Sequence, residues 1–338
     1  CIRDSTRADL DRLRELDTDK LDAETLISYQ LLEQQLLEDI ADYKWRHHDY
    51  PVNQMFGEHA GIPAFLINQH SIENSDEAKA YIARLNGVEE RLQQVIAQLD
   101  IRRAKGIVAP EFVLPHVLRD SRNILQGAPF DGGEPSTLLA DFNGKINHLD
   151  ISDMQRAKLS REAELALLNS VQPGYQALIV YLQELLNEAT ADAGAWKLPE
   201  GKAFYSNRLQ RITTTDLSAD EIHEIGLAEV ARIHEEMRAI QARVRFQGTL
   251  ADFMEFMRTD PQFYYSNDDA GRAQYLQRAD EVLSEMDQRL DELFRVRPRA
   301  ELTVKRVEEF RERSAGKAFY QQPAADGSRP GRYYANLY

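Results

Sequence analysis

The chain has 338 residues, of which 43% are hydrophobic and 29% charged, values that argue against wholesale disorder. Its 56 acidic and 41 basic residues give a formal net charge of −15, which disfavours nucleic acid and anionic lipid as broad binding partners. No apolar run approaches the roughly 20 residues that span a bilayer, so no transmembrane segment is predicted. The single cysteine, Cys1, excludes an internal disulfide framework.

Cys1 has two interpretations. As a first residue it is either the lipid-bearing cysteine of a processed bacterial lipoprotein or simply the residue at which the numbering begins. The second interpretation is favoured, because the residues after it run directly into a helical pattern without the polar tether that a lipid anchor normally has.

Helical periodicity dominates the first half of the chain. Apolar residues spaced three and four apart predict a helix over 22–45, with Asp22 as its N-cap, and further helical pattern over 74–99. Pro110 is predicted to lie near the first turn of another helix. Residues 127–150 begin with five glycines and prolines in nine positions and are predicted to form a loop. Two helical pieces then meet at Pro173, which must kink or break the run.

A boundary near residues 190–203 divides the chain into two predicted domains, an N-terminal helical bundle (1–190) and a second helical segment (191–338). In the second, Ser218-x-x-Glu221 is a capping box that predicts the start of a helix, and a last long helix is predicted over 269–294. Alternation of side chains after a Pro-Gly turn predicts a strand at 332–338. The predicted fold class is mainly α, an elongated multi-helix bundle with a short terminal β-strand or small sheet.

The histidines do not form a recognisable metal motif. No two of the eight are four residues apart, the spacing that lets one helix present both to one ion. His223 and His234 each precede a glutamate, but the position of the second histidine is occupied by Leu227 and Arg238, respectively. The cluster at 47–49 is a poor chelate unless it lies in a loop, since adjacent helical side chains diverge by about 100°. No nucleophile elbow or phosphate-binding glycine loop is present either, so the chain contains no complete catalytic apparatus.

Three stretches carry a family resemblance: GKAFYSNRLQRITTTDLSADEIHEIGLAEVARIHEEM, DPQFYY and KAFYQQPAADGSRPGRYYANLY. Together they resemble the bacterial family catalogued as domain of unknown function 885, and the last stretch is the most specific. The helices from about residue 10 onward also fit the N-terminal half of that family. The resemblance implies the fold of gluzincin-like zinc metallopeptidases, a long helical body around a small sheet. It also implies export to the periplasm or cell envelope, often as a lipoprotein, with a cytoplasmic location left open.

In that family a His-Glu-x-x-x-x-Gly-His-His signature normally follows the Tyr-Tyr-x-Asn strand, whereas this sequence stops at Tyr338. No zinc ligand and no general base can therefore be transferred to a residue present. The resemblance implies zinc in the full-length protein and none bound by this chain. It also implies that the catalytic part lies beyond residue 338, and that this remaining C-terminal part is the partner of the chain.

The same resemblance implies that the terminal strand, 332–338, is an edge strand that pairs with the backbone of a peptide substrate. Tyr334 and Asn336 would line the cleft, with ordinary strand packing as the alternative. Arg329 would bind a substrate carboxylate or shape its own loop. We therefore predict the helical part of a zinc-dependent peptidase that hydrolyses peptides. The alternative is a non-catalytic helical scaffold or peptide-binding protein.

Overall fold

A computed structural model describes residues 2–324 and 326–338. Cys1, and with it the question of a lipid-bearing cysteine, lies outside the described residues. The protein is mainly helical and carries a small three-stranded sheet near its C-terminal end, which confirms the predicted fold class. In the described part of the chain, no helix combines the length and the apolar character that crossing a membrane requires.

The helices and strands follow one another in a simple order, with all strands after the last helix. The helices are α1 (Ile2–Arg14), α2 (Ala23–Asp42), α3 (Glu58–Gln69), α4 (Ser75–Asn86), α5 (Val88–Arg103), α6 (Leu114–Ile124), α7 (Thr137–Ile146), α8 (Asp153–Ala166), α9 (Gln172–Leu186), α10 (Gly201–Thr213), α11 (Ala219–Arg243), α12 (Leu250–Thr259) and α13 (Asp269–Asp287). The strands are β1 (Leu302–Arg306), β2 (Ala318–Gln321) and β3 (Gly331–Ala335).

Both predicted helix starts are confirmed by their caps. The Asp22 side chain accepts a hydrogen bond from the Thr25 N–H at 2.8 Å, at the start of α2. At the start of α11 the Ser218 hydroxyl accepts from the Glu221 N–H, and the Glu221 carboxylate accepts from the Ser218 N–H. Each cap satisfies backbone donors that the first turn of a helix leaves free.

Other predicted boundaries need correction. The predicted loop 127–150 contains α7, because the dense run of glycines and prolines ends at Pro135 and apolar side chains after it are buried. The run 74–99 is two helices separated at Gly87, and α6 begins at Leu114, so that Pro115 rather than Pro110 lies in its first turn. The last long helix ends at Asp287, seven residues before the predicted end at 294, because the chain changes there to irregular backbone and one short 3-10 turn.

The region around Pro173 is continuous rather than broken. A π-helical turn, Leu167–Val171, joins α8 to α9. Its wider hydrogen-bond spacing accommodates Pro173, which has no backbone N–H to donate. Ser170 in this turn donates to the Asn86 carbonyl and accepts from the Glu89 N–H, which fixes it to the α4–α5 junction. Gly174 follows, and a Cβ there would lie 2.9 Å from the Glu89 Cα. Only glycine permits this approach of α9 to α5.

The hydrophobic core is drawn mainly from α3–α9, with Phe310 contributed by the segment after β1. By contrast, α11 is 25 residues long and only Gln241 in it is buried. Its apolar side chains are largely exposed, among them Ile225, Leu227, Val230, Ile233 and Ile240. The predicted division of the chain into 1–190 and 191–338 stays a prediction.

The sheet has the order β1-β3-β2, with β3 parallel to β1 and antiparallel to β2. The prediction of an edge strand at 332–338 is therefore wrong: the strand is β3, it ends at Ala335, and it lies in the centre. Its two neighbours, LTVKR and AFYQ, are too short and too mixed in composition to be recognised from a two-residue periodicity.

Candidate functional site

The C-terminal end of α3 holds the sheet against the helical body. The Asn68 Oδ1 accepts a hydrogen bond from the Lys305 Nζ of β1 at 2.8 Å, and its Nδ2 donates to Glu308 and to the Ala64 carbonyl. Arg332 of β3 donates to the backbone carbonyl of Asn68. Two strands are thus fixed to one helix end.

One further cation, Lys145, lies at the same helix end. Lys145 of α7 donates to the carbonyls of Leu66 and Ile67, at 2.7 and 2.9 Å, and to Asp141 at 2.8 Å. The last carbonyls of a helix lack partners within the helix and carry partial negative charge, so cations stabilise them. The Tyr81 hydroxyl donates to the same Asp141 carboxylate at 3.0 Å.

Burial dominates the electrostatics of this polar cluster. It raises the pKa of Asp141, and it lowers the pKa of Lys145 and of Lys305. The positive charge of Arg332 lowers the pKa of Lys305 further. Every one of these side chains has a partner within the chain, so the cluster acts as a support for the sheet.

Among the residues predicted to bind substrate, Tyr334 and Asn336 have partners within the protein. The Tyr334 side chain is buried, and its ring stacks on Phe319 of β2 with the ring centres 4.8 Å apart. The Asn336 Nδ2 donates to the carbonyls of Glu312, Ala315 and Gly316. Their contact with a substrate stays a prediction.

Arg329 lies in the loop between β2 and β3. Its Nη1 donates to the carbonyl of Gln322 at 2.9 Å. This contact agrees with the predicted alternative in which Arg329 shapes its own loop. The binding of a substrate carboxylate by Arg329 stays a prediction.

The outer strands of the sheet each present an unpaired edge. Backbone N–H and C=O groups point alternately to the two sides of a strand. Three backbone hydrogen bonds show which residues point toward β3: the N–H groups of Gly331, Val307 and Asn336 donate to the carbonyls of Glu301, Ala335 and Lys317, respectively. Backbone groups that face away from β3 belong to Leu302, Val304 and Arg306 of β1 and to Ala318 and Tyr320 of β2. None of them receives or donates a hydrogen bond among the described contacts. α13 packs beside β1.

The histidine cluster at 47–49 packs against α10. The His48 Nε2 bonds to the Pro199 carbonyl at 2.8 Å, and the His48 ring lies 4.9 Å from the rings of both Trp45 and Phe204. Within residues 2–324 and 326–338, no three histidine, cysteine or acidic side chains are grouped so that they could hold a metal ion. The described residues therefore do not fit a zinc site.

Sequence reasoning did not identify the polar cluster at the end of α3. Its members come from positions between 66 and 332, and no local motif connects them. The proximity of the two half-buried lysines, Lys145 and Lys305, is visible only when the helices and the sheet are assembled.

The protein is a helical body with a small sheet docked on one helix end. The chain belongs to the family described as bacterial protein of unknown function (DUF885), whose model matches residues 2–338. This confirms the resemblance on which the sequence prediction rested.

The fold is also that of a crystal structure described as "putative lipoprotein from Colwellia psychrerythraea", with a TM-score of 0.86 and 24% identity. The match covers 99% of this chain and 58% of that one, so this chain spans little more than half the length of the solved structure. No curated protein matches this chain.

Proposed function

We propose that this chain is the helical, sheet-bearing part of a zinc-dependent peptidase that hydrolyses peptides, with the zinc ligands outside residues 1–338. Two lines support the proposal. The C-terminal block resembles the DUF885 family, whose members resemble gluzincin-like zinc metallopeptidases, and the outer strands of the docked sheet have unpaired edges with which an extended peptide could pair.

The free edges carry the proposal. An extended peptide that pairs with an outer strand gains backbone hydrogen bonds whatever its side chains are. Val304 of β1 and Tyr320 of β2 direct their N–H and C=O groups outward. Because Lys305 of β1 and Arg332 of β3 both donate hydrogen bonds to Asn68, the sheet is held against α3, and binding requires little ordering of the protein.

In this proposal the three predicted site residues act on the sheet rather than directly on a peptide. Tyr334 packs β3 on β2, Asn336 joins the end of β3 to the segment before β2, and Arg329 holds the loop between β2 and β3. The peptide pairs with an outer strand instead of β3.

The exposed apolar face of α11 supports a further layer of protein. Several large apolar side chains of this one helix are exposed, and clustered exposed apolar side chains commonly mark interaction surfaces. Since the matched solved structure is longer than this chain, which covers 58% of it, we propose that a C-terminal part of the same protein covers α11. The peptide would then bind between that part and the sheet.

The experiment measures zinc content and peptide hydrolysis of the full-length protein. We expect about one zinc per chain, turnover of a mixed peptide library, loss of turnover with a chelator and recovery with added zinc. A purified full-length protein with neither zinc nor turnover would overturn the proposal.

A second candidate function is a non-catalytic peptide-binding protein. The same free edges favour it, because strand pairing needs no catalytic group. Saturable binding of a peptide without hydrolysis, in protein loaded with zinc, would support this candidate over the first.

We propose an exported location in the periplasm or cell envelope. The resemblance to the family supports it, as does the description of the matched solved structure as a lipoprotein. Cell fractionation with an antibody to the full-length protein tests it, and recovery in the cytoplasmic fraction alone would contradict it.

A further inference from the structure

A cleft with a volume of about 740 Å³ lies between α3 and the junction of α4 and α5. Small-molecule sites typically have volumes of about 300–1,000 Å³. Its apolar lining consists of Pro51, Ile62, Phe65, Leu66 and Val88. Gly61 also lines the cleft, and a Cβ at this position would meet no atom within 4 Å. The open space along α3 therefore accepts an apolar group.

Two arginines lie at the rim of this cleft, and they differ in their partners. Arg91 forms an ion pair with Glu58 at 2.5 Å, and both residues line the cleft. Arg84 has no carboxylate partner among the described residues; its Nη1 donates instead to the His70 Nδ1 at 2.7 Å. Arg84 therefore carries a positive charge in the cleft lining that is not paired with a carboxylate of the described residues.

His70 holds Arg84 without neutralising it. The His70 side chain is buried, and its Nε2 donates to the Glu77 carbonyl at 3.1 Å. That bond leaves Nδ1 as the acceptor for Arg84. Burial, and after it the charge of Arg84, lowers the pKa of His70, which keeps the imidazole neutral. The guanidinium is thus oriented by an uncharged acceptor and keeps its full positive charge.

The remaining donors of Arg84 suit a carboxylate. No acceptor within the described residues takes a hydrogen bond from its Nε or Nη2, and the planar guanidinium matches the two oxygens of a carboxylate. The Arg84 Cζ lies 5.6 Å from the ring centre of Phe65, so the charge and the apolar wall meet at one place.

We propose that this cleft binds a monocarboxylate with an apolar tail, its carboxylate on Arg84 and its tail along Phe65 and Ile62. The chain as a whole carries a net charge of −15 and repels anions at long range, so the binding depends on Arg84 locally. The inference uses only the cleft and does not rest on the proposed peptidase function.

The test is calorimetric titration of the full-length protein with octanoate, with 1-octanol as the uncharged probe of equal tail length and acetate as the head group alone. We expect saturable binding of one octanoate per chain. Octanol and acetate are expected to bind at least about tenfold more weakly, because octanol lacks the charge that pairs with Arg84 and acetate lacks the tail that contacts the apolar lining.

Two variants locate the site. Arg84→Gln keeps a donor for His70 but loses the charge, and we expect octanoate to bind about tenfold or more weakly. Gly61→Leu fills the cleft from a position where a Cβ meets nothing, and we expect octanoate binding to be lost. Gly144→Leu is the matched control, since Gly144 of α7 is also helical and open but lies outside the cleft lining.

Circular dichroism of each variant checks that the fold is retained. The inference is overturned if octanol binds as tightly as octanoate, or if either Arg84→Gln or Gly61→Leu binds octanoate like the unchanged protein. It is also overturned if octanoate shows no binding up to about 5 mM, the weak end of the affinity scale.

Discussion

Lys305 and Asn68 are 237 positions apart in the sequence, and the Lys305 Nζ donates a hydrogen bond to the Asn68 Oδ1 at 2.8 Å. This contact joins β1 to the last turn of α3. Because the Lys305 side chain is half-buried, the hydrogen bond is shielded from water and its loss leaves a desolvated ammonium without that partner.

Asn68→Ala is expected to destabilise the protein by about 1–3 kcal/mol, the loss that follows when buried donors and acceptors become unpaired. Both Lys305 and Glu308 lose a partner in this variant. Urea unfolding measures the change, and Gln69→Ala, at the exposed next position of α3, is the control. Equal midpoints for the two variants would show that the Asn68 side chain does not hold the sheet.

His59 predicts a pH dependence of stability. Burial lowers its pKa from 6.5 to about 4, so the folded protein keeps it neutral where the unfolded chain binds a proton. The stability contribution is complete above pH 6.5 and is lost as the pH falls toward 4, at about 1.4 kcal/mol per pH unit and roughly 3 kcal/mol in total. Burial also lowers the pKa of His47 and His70, so they act in the same direction.

His59→Gln is expected to reduce this slope by one proton between pH 6.5 and pH 4. Urea unfolding at a series of pH values measures the slope, which is independent of any uniform loss of stability in the variant. His148→Gln, at an exposed position, controls for the type of substitution. An unchanged slope in His59→Gln would contradict the assignment.

Gly174 predicts a steric effect at the crossing of α9 and α5. In Gly174→Ala the new Cβ would lie 2.9 Å from the Glu89 Cα, so the helices must move apart, at a loss of about 1–3 kcal/mol. Gly226→Ala in α11 is the control, because nothing lies within 4 Å of its Cβ position. There we expect a gain of about 0.5–1 kcal/mol from helix propensity. Thermal unfolding of the two variants should therefore shift in opposite directions.

The orientation of backbone groups in the two outer strands leads to a prediction about which N–H groups bind a peptide. Val304→Pro in β1 and Tyr320→Pro in β2 each remove an outward N–H without removing a bond to β3, and proline is tolerated on strand edges. On the strand that pairs with substrate, the loss of one hydrogen bond should lower kcat/KM for peptides by about 2- to 10-fold.

The kinetics use the full-length protein with zinc. Val304→Thr and Tyr320→Thr keep the N–H at the same positions and serve as controls. If neither proline variant changes kcat/KM while both fold normally, substrate does not pair with this sheet.

Much of the helical architecture was predictable because its signals are local. Asp22 and Ser218 begin their helices as predicted, since a cap depends on residues two or three positions away. The sequence did not predict that the helical pattern over 74–99 is divided into two helices at Gly87, or that helical backbone continues through Pro173. Both depend on packing between α4, α5 and α9, where Ser170 bonds to backbone groups of the α4–α5 junction.

The candidate site was predictable only in part. The aromatic run near the C-terminus indicated a strand, and β3 is that strand. Its position in the sheet depends on β1 and β2, whose four or five residues carry no clear periodicity of their own. The burial of Tyr334 and the carbonyl partners of Asn336 follow from this central position.

The sequence by itself determined the helical class, several helix starts, the family and the absence of a recognisable zinc motif, because each depends on residue type or short-range spacing. Only the tertiary structure decided that β3 lies between two strands, that lysines from α7 and β1 meet at the end of α3, and that Arg84 faces a neutral histidine. Hydrogen bonds and burial between distant segments form these features, and their free energy depends on which groups come together in space.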